Sequence, residues 1–190
     1  PGPAETALSL RGCSCCMSTP LSTWCDRWFG FSDDEVQALL GHAGCGGYLD
    51  DAREWFEGYR FGGFYCSSPA RVIDFLNRGC TPPVRADLYG YADCLSRVAG
   101  DWSLDRLATL FDLLEPHGCV EAPLRIGAVG SDASTDDDLW TALYLSGFLT
   151  TDMVEEPGNS ARSRALRLPN GELRQALRLV IIEWFEFAAE

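Results

Sequence analysis

Nine cysteines and two histidines are the residues of this 190-residue chain best suited to ligate a metal or attack a substrate. Cys13-Ser14-Cys15-Cys16 and His42-Ala43-Gly44-Cys45 offer sulfur and imidazole to a zinc ion. The first cluster, however, lacks the two-residue spacer that lets two thiolates face one ion. His42 with Cys45, and His117 with Cys119, set an imidazole beside a thiol, the pairing of a cysteine-dependent hydrolase. Working partners of that kind converge from distant segments rather than lying side by side in the chain. The odd cysteine count and irregular spacing fit free thiols acting as small apolar side chains in a reducing compartment. No metal site is expected, and the expected location is intracellular, cytoplasmic or nuclear.

All 15 basic residues are arginine, so every chemistry that needs an amine is closed to this chain on its own. A Walker A loop needs its lysine to reach the nucleotide phosphates, and a Schiff base needs an amine as well. The chain is therefore not expected to be an enzyme. A net charge of −13 disfavours phosphate backbones and anionic lipid as partners. Arg162, Arg164, Arg167, Arg174 and Arg178 form a local basic cluster against that trend, and nucleic acid remains disfavoured. No apolar run reaches the roughly eighteen residues of a membrane span, and no leader-like segment follows Pro1. The missing initiator methionine raises the expectation of a fragment.

The elements that must position any functional group are legible from periodicity and punctuation. Residues 1–23 are rich in Pro, Ser, Thr and Cys and are expected to be poorly ordered. Ser32-Asp33-Asp34-Glu35 is a capping box that starts a helix at Asp33, with Phe31 placed to staple onto Val36 and with Val36, Leu39 and Leu40 on its buried stripe. A second helix runs from about Leu49 to Glu57, turns Ala52, Trp55 and Phe56 inward and stops at Gly58. Phe61, Phe64 and Tyr65 read either as a short strand or as an extended loop. Ser68-Pro69 supplies an N-cap and first helical residue for a helix carrying Val72, Ile73 and Leu76, with Gly79 as its stop.

Thr81-Pro82-Pro83 reads as a linker before two helices, one marked by Leu88, Tyr91, Leu95 and Val98, the other by Leu104, Leu107, Phe111 and Leu114. Val120, Ala122, Leu124 and Ile126 alternate as an edge strand that tolerates Pro123. Thr135-Asp136-Asp137-Asp138 starts a helix carrying Leu139, Trp140, Leu143 and Tyr144 to Gly147. Phe148–Val154 and Arg164–Leu168 read as a hairpin joined across Glu155–Asn159. Leu173, Ala176, Leu177, Val180, Ile181, Trp184 and Phe185 then mark a long amphipathic helix. The fold class expected is mainly α with an α+β character.

Three motifs carry a resemblance to a known family. Trp55-Phe56-Glu57-Gly58-Tyr59-Arg60-Phe61 is similar to the Trp-Tyr-Asp-Gly-Tyr motif of the AAA-ATPase-like family, preceded here by Gly30-Phe31-Ser32-Asp33-Asp34-Glu35-Val36. Asp138–Thr150 and Leu168-Pro169-Asn170-Gly171-Glu172-Leu173 resemble that family's Ser-Gly-Tyr-Leu-Thr and Ile-Pro-Asn-x-Glu segments, in the same order. Trp55, Gly58, Tyr59, Pro69, Gly147, Pro169 and Asn170 are the positions shared. Members are P-loop ATPases, often fused to a restriction-type nuclease, and the resemblance covers residues 24–187, after the P-loop core.

What the resemblance implies is a non-catalytic lid and accessory region. It divides the chain into residues 1–23, a helical lid-like bundle at 24–79, a linker and helical pair at 80–118, and a winged-helix-like unit with a β-hairpin at 119–190. Lids of this superfamily carry a residue that senses the γ-phosphate, and arginine suits that role because its planar fork stays charged. Arg60 and Arg71 are the candidates. ATP and Mg are implied for the parent protein and no cofactor for this chain. The implied partner is a P-loop ATPase core or another protein. The alternative is a stand-alone acidic helical module for protein interaction.

Overall fold

The computed structural model describes residues 20, 21, 23, 26–84, 88, 90, 104–124, 136–152 and 163–188. Among them are six α-helices and two small antiparallel sheets, an α+β fold. A 3-10 turn at Asp26–Trp28 leads into α1 (Asp33–His42), which begins where the capping box requires. The Glu35 amide donates to Ser32 Oγ at 3.2 Å and the Ser32 amide donates to Glu35 Oε2 at 2.8 Å, satisfying two amides that lack partners within the helix. A second 3-10 turn, Gly46–Tyr48, precedes α2 (Leu49–Phe56). The two helices are tied by Arg53, whose Nε and Nη2 donate to the two carboxylate oxygens of Asp33 at 2.7 and 2.6 Å.

Residues 59–66 form a hairpin, β1 (Tyr59–Phe61) and β2 (Phe64–Cys66), so the strand alternative holds for this stretch. The Gly62-Gly63 loop has two residues, and Gly62, at φ +54°, takes the left-handed backbone that so tight a hairpin needs. Then α3 (Pro69–Asn77) begins with Pro69 at its first turn. Val72 and Phe75 carry its buried face, whereas Ile73 is 47% exposed. The expected Val72/Ile73/Leu76 stripe is corrected accordingly. Ile73 lies about 100° round the helix from Val72, while Phe75 returns to the same side.

The first core collects Val36, Leu40, Ala52, Phe56, Val72 and Phe75 from α1, α2 and α3 and Cys80 from the turn after α3, with Phe31 packed against it. Its ring pair is Phe56 edge-on to Phe75 at 5.3 Å.

The second core lies on a three-stranded sheet. α4 (Leu104–Leu114), β3 (Val120–Pro123), α5 (Asp136–Leu145), β4 (Thr150–Thr151), β5 (Ser163–Arg167) and α6 (Gly171–Ala188) follow in order. β5 is central, with β3 and β4 antiparallel on either side. Pro123 thus sits on an edge strand, opposite Ser163, where the absence of an amide hydrogen is tolerated. Strands β4 and β5 lie within the expected hairpin, while Glu155–Asn159 and Thr135 fall outside the described residues. Leu139, Trp140, Leu143 and Tyr144 are all buried as the helical spacing predicts.

Two stripes shift. On α4 burial falls on Leu110 and Leu113, and Phe111 is 42% exposed. On α6 Leu179 is buried, and Phe185, expected inside, is 49% exposed. Phe111 and Phe185 meet one another instead, with ring centroids 6.0 Å apart, a contact along the outer seam of two packed helices. α4 belongs to the second core although it was expected in the connecting stretch, because Leu110 and Leu113 bury there. Leu21 joins the same core, although residues 1–23 were expected to be poorly ordered. It is held beside Pro20, whose carbonyl accepts from the Gly62 amide at 2.8 Å. Of the helix expected around Leu88–Val98, Leu88 is described and packs with Ala176 and Leu179; Tyr91, Leu95 and Val98 lie outside the described residues.

Candidate functional site

Segments from three distant parts of the chain meet at the end of α2. Helix α2 stops because Glu57 turns extended and Gly58 adopts φ +102°, a backbone that side chains with a β-carbon rarely take. A β-carbon on Gly58 would collide with the carbonyl oxygen of Pro169. Glycine is therefore required there twice, by its dihedral angle and by the close approach of a second backbone. One turn along, Gly171 faces the carbonyl of Glu54 and the ring of Trp55. Asn170 caps α6, its Oδ1 accepting from the Leu173 amide at 3.2 Å.

The same corner holds a buried ion pair. Glu172, in the first turn of α6, is 1% exposed in its side chain. Arg71 on α3 donates to its Oε1 through Nε at 2.7 Å and through Nη2, and also lies 3.5 Å from Asp74. A carboxylate at a helix N-terminus is favoured by the helix dipole, and the guanidinium supplies the countercharge that burial demands. Arg71 therefore joins α3 to α6.

Arg60 is placed differently. Its amide donates to Thr150 Oγ1 at 3.2 Å, joining β1 to β4. Its guanidinium donates from Nε to the Gly62 carbonyl at 3.0 Å and from Nη1 to the Asp152 carbonyl, and stacks over Tyr65 at 5.1 Å. The Tyr65 hydroxyl donates to Asp152 Oδ1 at 2.9 Å, and Arg167 donates to both Asp152 oxygens at 2.8 and 3.2 Å. The Arg167 hydrogen bonds, and after them that of Tyr65, hold the Asp152 carboxyl below the ordinary aspartate range against the opposing effect of burial. Among the described residues Arg60 makes no ion pair with a carboxylate, whereas Arg71 makes two. Tyr59 packs against the second core and approaches Gly147.

Trp55, Gly58, Tyr59, Pro169 and Asn170 thus share one junction, with Pro69 opening the helix that carries Arg71 and Gly147 beside Tyr59. Sequence reasoning missed the partners: Glu172, Thr150, Asp152 and Tyr65. Glu172 gave a signal, a carboxylate in the first turn of an otherwise apolar helix face. Asp152 gave none, since its role depends on residues brought in from β2 and β5.

The other candidates lie apart. The His42 ring bonds the Ala38 carbonyl at 2.7 Å, and the Cys45 thiol is turned to the Ala43 carbonyl. His117 and Cys119 lie on the surface, and Cys13, Cys15 and Cys16 fall outside the described residues. No group of three or more metal-ligating side chains occurs among the described residues. Of the basic cluster, Arg164 is buried, Arg167 is engaged by Asp152, and Arg162 lies outside the described residues. No helix among the described residues is long and apolar enough to cross a membrane. No protein-family model, curated protein or solved structure matches the chain.

Proposed function

We propose that this chain is the non-catalytic lid and accessory region of an AAA-ATPase-like protein, coupling the nucleotide state of a P-loop core to a neighbouring domain or partner. The observation that carries the reading is the meeting of Gly58 with Pro169. The motif segments that suggested the family are far apart in sequence, and they pack into one junction. A lid that transmits a nucleotide-dependent movement needs such a rigid joint to its accessory unit. The accessory half is read as winged-helix-like, and the order α5, β4, β5, α6, with β3 as a third strand, supports that reading.

Of the two arginines, Arg60 suits nucleotide sensing better. Its guanidinium forms no ion pair among the described residues and rests on the Gly62 and Asp152 carbonyls and the Tyr65 ring, with the Asp152 carboxylate near, while that of Arg71 answers a buried carboxylate. ATP and Mg would be bound by the core, and the chain by itself is expected to bind neither.

A second reading, an acidic interaction module acting on its own, is favoured by Trp28, 84% exposed beside Phe29, which stacks on Phe61 at 5.1 Å. One experiment separates the two. The transcript upstream of the Pro1 codon is sequenced, and a Gly-x-x-x-x-Gly-Lys-Ser/Thr segment in frame is expected for the lid. Arg60→Ala in that full-length protein should then lower steady-state ATP turnover while leaving its melting temperature unchanged. An upstream stop codon, or turnover unaffected by the substitution, would leave the interaction module as the better account.

A further inference from the structure

Helices α4 and α6 end side by side, with apolar and negative surface uncovered at the same corner. Phe111 stands within one turn of Leu114, the last residue of α4, and Phe185 within one turn of Ala188, the last residue of α6. Their ring contact at 6.0 Å therefore brings the two helix C-termini together. Phe111, Ile182 and Phe185 are 42%, 46% and 49% exposed, and Trp184 stands edge-on to Phe185 at 5.1 Å. Leu88 packs on Ala176 and Leu179, on a side of α6 turned away from Phe185. A helix C-terminus leaves carbonyls without intrahelical partners, and the partial negative charge there favours a cation in the last turn. Neither helix has a basic residue in its last turn. Acids gather instead: Asp112 and Glu115 are exposed at the end of α4, and on α6 Glu183 is half-buried and Glu186 exposed. Arg178 and Arg174 lie one and two turns back from Ile182, in the N-terminal half of α6.

We propose that this corner docks a cationic amphipathic helix of a partner protein, its apolar face laid on Phe111, Ile182 and Phe185 and its Lys or Arg side chains set among the four carboxylates. Charge decides between the occupants. A second copy of this chain brought up across a twofold axis would set the same carboxylates and the same helix ends against themselves, and a net charge of −13 adds to that repulsion. Anionic lipid and nucleic acid meet the same field. A cationic amphipathic helix gains on both counts, because covering the rings removes apolar area from water while the acids draw it in and fix its orientation. Rim charges act on encounter and register, so the apolar trio carries most of the affinity. The inference holds whether or not the chain serves an ATPase, since the partner is read from the charge and the apolar face of this corner alone.

The test titrates the full chain into a fluorescein-labelled synthetic helix of about 18 residues, with leucine along one face and lysine elsewhere, and follows the anisotropy. The same peptide with glutamate in place of lysine is the comparison. The lysine peptide is expected to bind, more weakly as salt rises, and the glutamate peptide not to bind. Ile182→Arg puts a cation in the middle of an exposed face and should weaken binding about tenfold or more with the melting temperature unchanged. The double change Glu115→Arg with Glu186→Arg should turn the preference toward the glutamate peptide, a gain that misfolding cannot produce. Trp28→Ala, at an exposed aromatic ahead of α1, should leave binding as it was. The proposal is overturned if the two peptides bind alike, if Ile182→Arg binds the lysine peptide as the wild type does, or if sedimentation shows a dimer that Ile182→Arg separates, which would make a second copy the occupant.

Discussion

Arg71 Nε and Glu172 Oε1 stand 2.7 Å apart across the boundary between the two cores, with the carboxylate almost wholly out of solvent. Removing one partner leaves a buried charge unanswered. Arg71→Ala is accordingly expected to cost about 3–5 kcal/mol. The double change Arg71→Met with Glu172→Leu should cost much less than the sum of the single changes, because it removes both charges together. Urea unfolding of the two single variants and the double variant measures the coupling. Additive losses would show that the pair contributes little beyond packing.

The aromatic pair at the end of α2 should divide unequally. Phe56 is fully buried against Phe75, whereas Trp55 is only half-buried beside Gly171. Phe56→Ala is expected to cost about 3–5 kcal/mol, the range for truncating a core aromatic, and Trp55→Ala less. Chemical denaturation reads both, and a larger loss for Trp55 would mean that the junction with α6 outweighs the first core.

Acid should weaken the contacts of Asp152 with Arg167 and Tyr65. Asp152 has its folded-state pKa below the unfolded value near 3.8, mainly through Arg167 and then Tyr65. Its contribution is complete above that unfolded value and is lost as pH falls through the folded one, where the unfolded chain binds the proton more readily. Glu57 has the opposite sign. Burial, then the charge of Asp33, raises it above 4.5, so its contribution is present below that value and disappears as pH rises through the folded pKa. Asp152→Asn should flatten the stability profile below pH 3.8, and Glu57→Gln should add stability at neutral pH. Thermal melts from pH 2 to 8 test both signs, and an unchanged acid limb in Asp152→Asn would remove Asp152 as its source.

Local chemistry made much of the fold legible. Ser32 and Glu35 announce a helix start because a capping box needs only residues three apart, and Pro69, Gly58 and Gly147 punctuate elements by their own backbone limits. Exposure of Phe111, Phe185 and Ile73 was not legible, since a helical stripe wide enough for several apolar residues does not say which of its edges a neighbour covers. The junction was half legible. Its glycines and its capping Asn170 stood out as motif positions, but that Gly58 touches Pro169 and that Arg71 answers Glu172 depends on how two separate cores dock. No periodicity encodes that.

The order of strands in the second sheet fixes when each half of the molecule can form during synthesis. The first core draws on residues 36–80 and is complete once that stretch has left the ribosome. Among the described residues both β3 and β4 pair with β5 alone, and β5 begins at Ser163, so neither has a hydrogen-bonded strand neighbour until that segment has emerged. Domains form as units, N-terminal first, at about 5–20 residues per second, which leaves the apolar faces of α4, β3 and α5 waiting for several seconds. During that interval unpaired strand edges and open apolar helices are the surfaces a chaperone would bind. Shortening the chain before Ser163 should therefore spare the first core and leave a nascent second half that cannot close.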